Sequence, residues 1–223
     1  MKKLLMTTLA GLGLMAAALT AAQAQDAKAG DAKAGEKKAA MCIGCHGIPN
    51  YKSSFPEVYQ VPMISGQSAP YMVAALNAYA KGERRFSTMR SIAVTLSDQD
   101  KADLAAYYAA DGGQSAKLPE QLAVAPSAQV AELLKKGNCI SCHGANMSKP
   151  IDPAYPKLAG QHADYLYYAL KAYQTKSNPQ VGRSNPIMAG MAAPFTHDEL
   201  RTLSSYIASL PSELKTVTQP SFR

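Results

Sequence analysis

At 223 residues the chain has room for one large domain or two of ordinary size. Its formal net charge is +7, yet no run of Lys and Arg is interleaved with aromatic residues, which removes nucleic-acid binding from the functional classes to consider. After the first 24 residues no apolar stretch is long enough to span a bilayer.

Residues 1–24 have the layout of a secretory signal peptide. Lys2 and Lys3 make a basic start, Leu4 to Leu19 a mostly apolar run, and Ala22-Gln23-Ala24 a small-x-small cleavage site. A membrane anchor fits less well, because the run is short for a span and rich in alanine. The mature chain is expected to begin near Gln25 and not to span a membrane; loss of Lys2 and Lys3 leaves a net charge of +5 (7 minus 2).

Residues 25–35, QDAKAGDAKAG, are a short polar tandem repeat leading into a helix over roughly Gly35–Cys45, with Ala39, Ala40 and Met41 as its apolar contacts. That helix carries CIGCHG, Cys42 to Gly47, which returns as CISCHG, Cys139 to Gly144. Two cysteines three positions apart followed at once by a histidine is the pattern of c-type haem attachment. Thiols about one helical turn apart can each add to one vinyl group of the same haem, and the adjacent histidine then ligates the iron from one face. The pattern assigns Cys42, Cys45 and His46 to one haem c, and Cys139, Cys142 and His143 to a second. Two disulfides are the other use of four cysteines in an exported protein, but the motifs leave no thiol over. Zinc ligand pairs usually lie within a few tens of residues of each other; these lie 97 apart.

Residues 47–62 contain Gly47, Pro49, Pro56 and Pro62 and read as a loop. A helix follows, with Ser68 as cap, Pro70 in the first turn, an apolar face at Tyr71, Ala75, Leu76 and Tyr79, and Gly82 as its stop. GERRFSTM is taken as another loop. A last helix starts at Ser97 with Asp100 three residues on and runs to about Ala110. Residues 112–128, rich in Gly, Pro and small side chains, read as a linker between a first domain, 25–111, and a second, 129–223.

The second half repeats the first. Pro62, Gly66, Gln67, Tyr71, Leu76 and Tyr79 recur 94 residues later, and Met89, Ser97, Asp100, Leu104 and Tyr107 recur 99 residues later as Met188, Thr196, Glu199, Leu203 and Tyr206. Length changes confined to loops are what a duplicated all-helical domain gives, and no period-2 run of β-branched residues argues for a sheet. The pairing also nominates the second axial ligand of each iron. Met89 and Met188 each lie seven residues before a capping turn, 43 and 45 residues after their histidines. Met191 is the rival in the second half, but its counterpart is Ile92, which cannot ligate. His162 and His197 have no counterpart and read as surface residues near helix starts. The carbonyls of Pro62 and Pro156 are candidate acceptors for the second ring nitrogen of each axial histidine. Arg84 and Arg183, five residues before the methionines, are candidate partners for haem propionates.

With these residues in view the chain resembles the dihaem cytochrome c4 family. The likeness rests on CIGCHG with VPMISGQSAPYMVAALNAY and TMRSIAVTLSDQDKADLAAYY, and on CISCHG with YPKLAGQHADYLYYALKAY and NPIMAGMAAPFTHDELRTLSSYI. It implies an all-α fold of two tandem cytochrome c-type domains related by a pseudo-two-fold axis, and axial pairs His46/Met89 and His143/Met188. It also implies an electron carrier of the periplasm, serving redox proteins such as a membrane-bound oxidase or quinol-oxidising complex, with no small-molecule substrate at either iron. One departure is Ser87-Thr88 before the first methionine where the second half has Pro186-Ile187. The rival functions are a dihaem subunit that accepts electrons from a dehydrogenase and a dihaem peroxidase; paired methionines, which close both irons, count against the peroxidase.

Overall fold

A computed structural model describes residues 29–112 and 117–218. The expected signal peptide, 1–24, lies outside the described residues. In chain order the elements are α1 (Ala32–Lys38), α2 (Ala40–His46), β1 (Lys52–Ser53), β2 (Tyr59–Gln60), α3 (Ala69–Lys81), β3 (Arg84–Arg85), α4 (Ser87–Ala93), α5 (Asp98–Asp111), α6 (Ala128–Lys136), α7 (Cys139–His143), α8 (Ala163–Gln174), β4 (Gly182–Arg183), α9 (Pro186–Ala192) and α10 (His197–Ala208). Helices α1–α5 pack on one another around Ala39, Met72, Leu104 and Tyr108. Helices α6–α10 pack around Leu133, Leu134, Met147, Leu200 and Leu203.

Local chemistry accounts for most helix ends. Ser97 and Asp100 form a reciprocal capping box at the start of α5, and Thr196 and Glu199 repeat it at the start of α10. Pro70 sits in the first turn of α3, and Gly82 closes that helix with φ +77, a left-handed conformation that costs glycine nothing. Several expectations change. The first helix is two short helices broken at Ala39, where tighter bonds from Ala39 N–H to Glu36 O (3.2 Å) and from Cys42 N–H to Ala39 O (2.8 Å) redirect the chain. Ala39 is buried as expected, but Ala40 is exposed and Met41 points outward at 65% exposure. Ser68 starts α3 without capping it; its hydroxyl donates to the Pro153 carbonyl in the other half. GERRFSTM is not a plain loop: it supplies β3 and the first turn of α4.

The halves meet through backbone as much as side chains. β3 pairs antiparallel with β4, Arg84 opposite Arg183, and a small hairpin of β1 and β2 reaches over α8. Tyr59 on that hairpin stacks on Tyr168, ring centroids 4.2 Å apart, in an apolar cluster with Ala172 and Val181 that Phe86 and Tyr165 border. Two loops cross beneath it. The Gln67 amide bonds both N–H and C=O of Lys157 (3.0 Å each), while the Gln161 amide bonds both groups of Met63 (3.0 and 2.9 Å). The exchange is reciprocal at positions 94 apart, which is what a pseudo-two-fold relation between duplicated halves requires. The described part of the expected linker lies on the second half: the Asn146 side chain donates to Pro119 O at 2.7 Å and Tyr206 OH to Val124 O at 2.7 Å.

In the first half, α1 and α5 approach closely because Gly35 has no side chain. A Cβ there would lie 2.1 Å from the Asp103 carbonyl oxygen. Gly→Ala inside a helix ordinarily stabilises by about 1 kcal/mol; Gly35→Ala is expected to invert that sign and cost about 1–3 kcal/mol by forcing the helices apart, read as a lower thermal midpoint. Asp103 is the polar counterpart of this contact. Its carboxylate accepts from Asp31 N–H (2.9 Å), Lys38 Nζ (2.6 Å) and Gln99 Nε2 (2.8 Å), and Lys38, first among these, pulls its pKa down to about 2. Because the folded value lies below the unfolded one, this stabilisation is complete above about pH 4 and is lost as pH falls towards 2. Acid titration of thermal stability is expected to show that loss, and Asp103→Asn to flatten it.

Candidate haem-binding sites

α2 and α7 hold their cysteine and histidine side chains towards the interior because one turn of helix puts both thiols and the imidazole on one edge. A continuous cavity of about 890 Å³ runs through both halves. Cys42, Cys45, His46 and Met89 line it from the first half, and Cys139, Cys142, His143 and Met188 from the second.

The histidines are alike. His46 Nδ1 donates to Pro62 O at 2.8 Å, and His143 Nδ1 donates to Pro156 O at 3.0 Å. A carbonyl only accepts, so Nδ1 carries the hydrogen and Nε2 is left with its lone pair, the tautomer a metal needs. Burial lowers the pKa of both imidazoles, against the opposing effect of the proline carbonyl, and favours the neutral ring. All four thiols are free of disulfides. Burial raises the pKa of Cys42 and pushes that of Cys139 up to about 11, so both rest as thiols.

The methionines sit on α4 and α9, each a helix of seven residues rather than the loop expected for Met89. Asn185 caps α9 by accepting from Met188 N–H at 3.0 Å; α4 has no such side-chain cap, because Phe86 stands at its N-cap and has no acceptor oxygen. Met191 also lines the cavity, at 41% exposure, so lining alone does not separate it from Met188. His162 and His197 are not among the lining residues.

Arg84 and Arg183 border the same cavity. Each lies over tyrosine rings, Arg84 5.2 Å from the Tyr71 centroid and Arg183 5.4 Å from that of Tyr173. Arg84 donates to Tyr71 OH at 3.3 Å and Arg183 to Tyr165 OH at 3.1 Å. Among the described residues neither has a carboxylate partner, and Arg183 is only 8% exposed. Two inward guanidinium groups without counter-charge are costly unless an anion joins them. An apolar cavity, free thiols, neutral imidazoles with an open nitrogen and two uncompensated cations together fit a haem with its propionates.

The glutamines were missed as interface residues. The repeated Gly-Gln at 66–67 and 160–161 was visible in the sequence; that each amide reaches the opposite half was not.

Fold and site together define a two-centre c-type cytochrome. A cytochrome c family model matches residues 127–211. Cytochrome c4 of Azotobacter vinelandii is 32% identical over 189 residues, covering 77% of this chain and 85% of its own. The solved structure of reduced recombinant cytochrome c4 from Pseudomonas stutzeri superposes with a TM-score of 0.58 at 28% identity, covering 82% of this chain and all of that one. A thiosulfate dehydrogenase electron acceptor of Thiomonas intermedia is 28% identical over 182 residues, 78% of this chain and 80% of its own. The chain belongs to the cytochrome c4 family. It has the family's two tandem helical domains and covalently attached haem c, and it is an electron-transfer protein rather than an enzyme.

Proposed function

We propose that the chain is a periplasmic dihaem carrier that passes electrons one at a time between respiratory donors and a terminal oxidase or similar acceptor. In this reading residues 25–111 and 129–223 each hold one haem, joined by the linker 112–128. Cys42 and Cys45 tether the first haem, and His46 and Met89 are its axial ligands. Cys139 and Cys142 tether the second, and His143 and Met188 ligate it. The observation that carries the reading is that one cavity presents, for each half, a thiol pair, an imidazole with its Nε2 free and a methionine from a later helix. The bound haem supplies an iron that changes valence by one electron. The protein's residues do the rest. The proline carbonyls hold the imidazole tautomer, the thioethers close the sixth position against reactants, and Arg84 and Arg183 neutralise propionates near the domain junction.

The signal-peptide layout of residues 1–24 supports the periplasm; among the described residues no helix is long and apolar enough to cross a membrane. Partners are redox proteins such as a membrane-bound oxidase or a quinol-oxidising complex, docking weakly through a small patch. A second reading, an electron-accepting subunit of a dehydrogenase, is favoured by the likeness to the thiosulfate dehydrogenase electron acceptor. The two part on gel filtration of native extract: a carrier elutes alone, a subunit elutes with its dehydrogenase.

Met188→Ala is expected to abolish the sulfur-to-iron charge-transfer band of one haem and leave the other, while Met191→Ala leaves both. Persistence of both bands in Met188→Ala would overturn the assignment.

A further inference from the structure

Each axial histidine is wired, through one peptide group, to the opposite domain. The carbonyl of Pro62, which accepts from His46 Nδ1 at 2.8 Å, belongs to the same peptide unit as the N–H of Met63. That N–H donates to Gln161 Oε1 at 3.0 Å, and Gln161 Nε2 returns a bond to Met63 O at 2.9 Å. The mirror arrangement holds in the second half. His143 Nδ1 donates to Pro156 O at 3.0 Å, and the Lys157 N–H of that peptide donates to Gln67 Oε1 at 3.0 Å. Both glutamines are 4% exposed. Their orientation is unambiguous, since a backbone N–H can meet only the amide oxygen.

From this we infer that Gln161 is a positioning residue for the first haem and Gln67 for the second, each tuning the reduction potential of the haem in the domain it does not belong to. The inference rests on histidine ligation as read above. The physical route is short. Resonance makes a peptide carbonyl a better acceptor when its own N–H is hydrogen-bonded, and the effect is larger where water is excluded. A better acceptor draws the imidazole proton, gives the ring more anionic character and stabilises oxidised iron. Each glutamine therefore lowers the potential of the opposite haem. The coupling runs both ways: oxidation of one iron strengthens the N–H···Oε1 bond of its peptide and tightens the grip between the loops. Gln161 lies five residues after Pro156, on the loop that orients His143, so the two histidine supports are one cross-linked unit.

The test is redox titration of the holoprotein with each haem assigned by NMR. Gln161→Leu is expected to raise the potential of the first haem, favouring its reduction by about two- to tenfold, with a smaller change at the second; Gln67→Leu gives the mirror result. In the reduced protein the His46 Nδ1–H resonance moves upfield in Gln161→Leu while that of His143 stays. A larger shift at the same-domain haem than at the opposite one, equal shifts of both, or none overturns the proposal. Should the leucine variant not load haem, Gln161→Asn keeps the polarity and withdraws the amide by one methylene, and the same crossed shift is required of it. Failure of the ligation reading is separate: His46→Gly would then leave the low-spin spectrum of both haems unchanged.

Discussion

Two side-chain amides hold this molecule at its waist. Gln67 and Gln161 each satisfy the N–H and C=O of one residue in the opposite half, and both are nearly buried. A primary amide is the side chain that carries a donor and an acceptor side by side, the same edge a peptide presents. Leucine would leave two backbone groups unpaired in a dry place, and glutamate would set a carboxylate against a carbonyl. The rest of the junction is placed by this crossing. β3 meets β4 at Arg84 and Arg183, Tyr59 stacks on Tyr168, and the cavities of the two halves open into one another.

That shared cavity explains the protein's odd economy of core. The first half buries few large side chains, and its cluster is built on Ala39, Met72, Leu104, Ala105 and Tyr108. A domain with so little apolar packing of its own needs its prosthetic group as core. The same reasoning covers the arginines. Guanidinium groups set against tyrosine faces, without a carboxylate among the described residues, are tolerable where an anionic group arrives to complete them. Attachment of haem thus completes both the apolar and the charged part of the interior.

The halves share a site but not its supports. In the first, α1 lies against α5 through Gly35, with Asp103 gathering Asp31, Lys38 and Gln99. In the second, the helix before the haem motif packs by Val130, Leu133 and Leu134, and Met147 is wholly buried. Pro119 and Val124, from the stretch before α6, are held against that half by Asn146 and Tyr206. The tail crosses back to the first: Lys215 N–H donates to Ser65 O at 3.0 Å and its Nζ to Gly112 O at 2.8 Å. Duplication preserved the groups that face the cofactor and let the outer packing diverge, which provides two unlike environments for chemically similar ligands.

The sequence by itself determined what depends on neighbours along the chain. Thiol spacing identified the cofactor because vinyl addition needs two sulfurs a helical turn apart; the capping boxes at Ser97 and Thr196 and the stop at Gly82 were legible because a cap is satisfied within a few residues. The duplication was legible as fixed offsets, and with it the pairing of Met89 with Met188. Only the tertiary structure decided the break at Ala39, the outward turn of Met41, the release of Ser68 from its cap to Pro153, and the helical setting of Met89. It alone revealed that each Gly-Gln reaches across to the peptide beneath the other histidine. Those outcomes turn on which loops cross, and a hydrogen bond between residues about ninety positions apart leaves no local pattern to read.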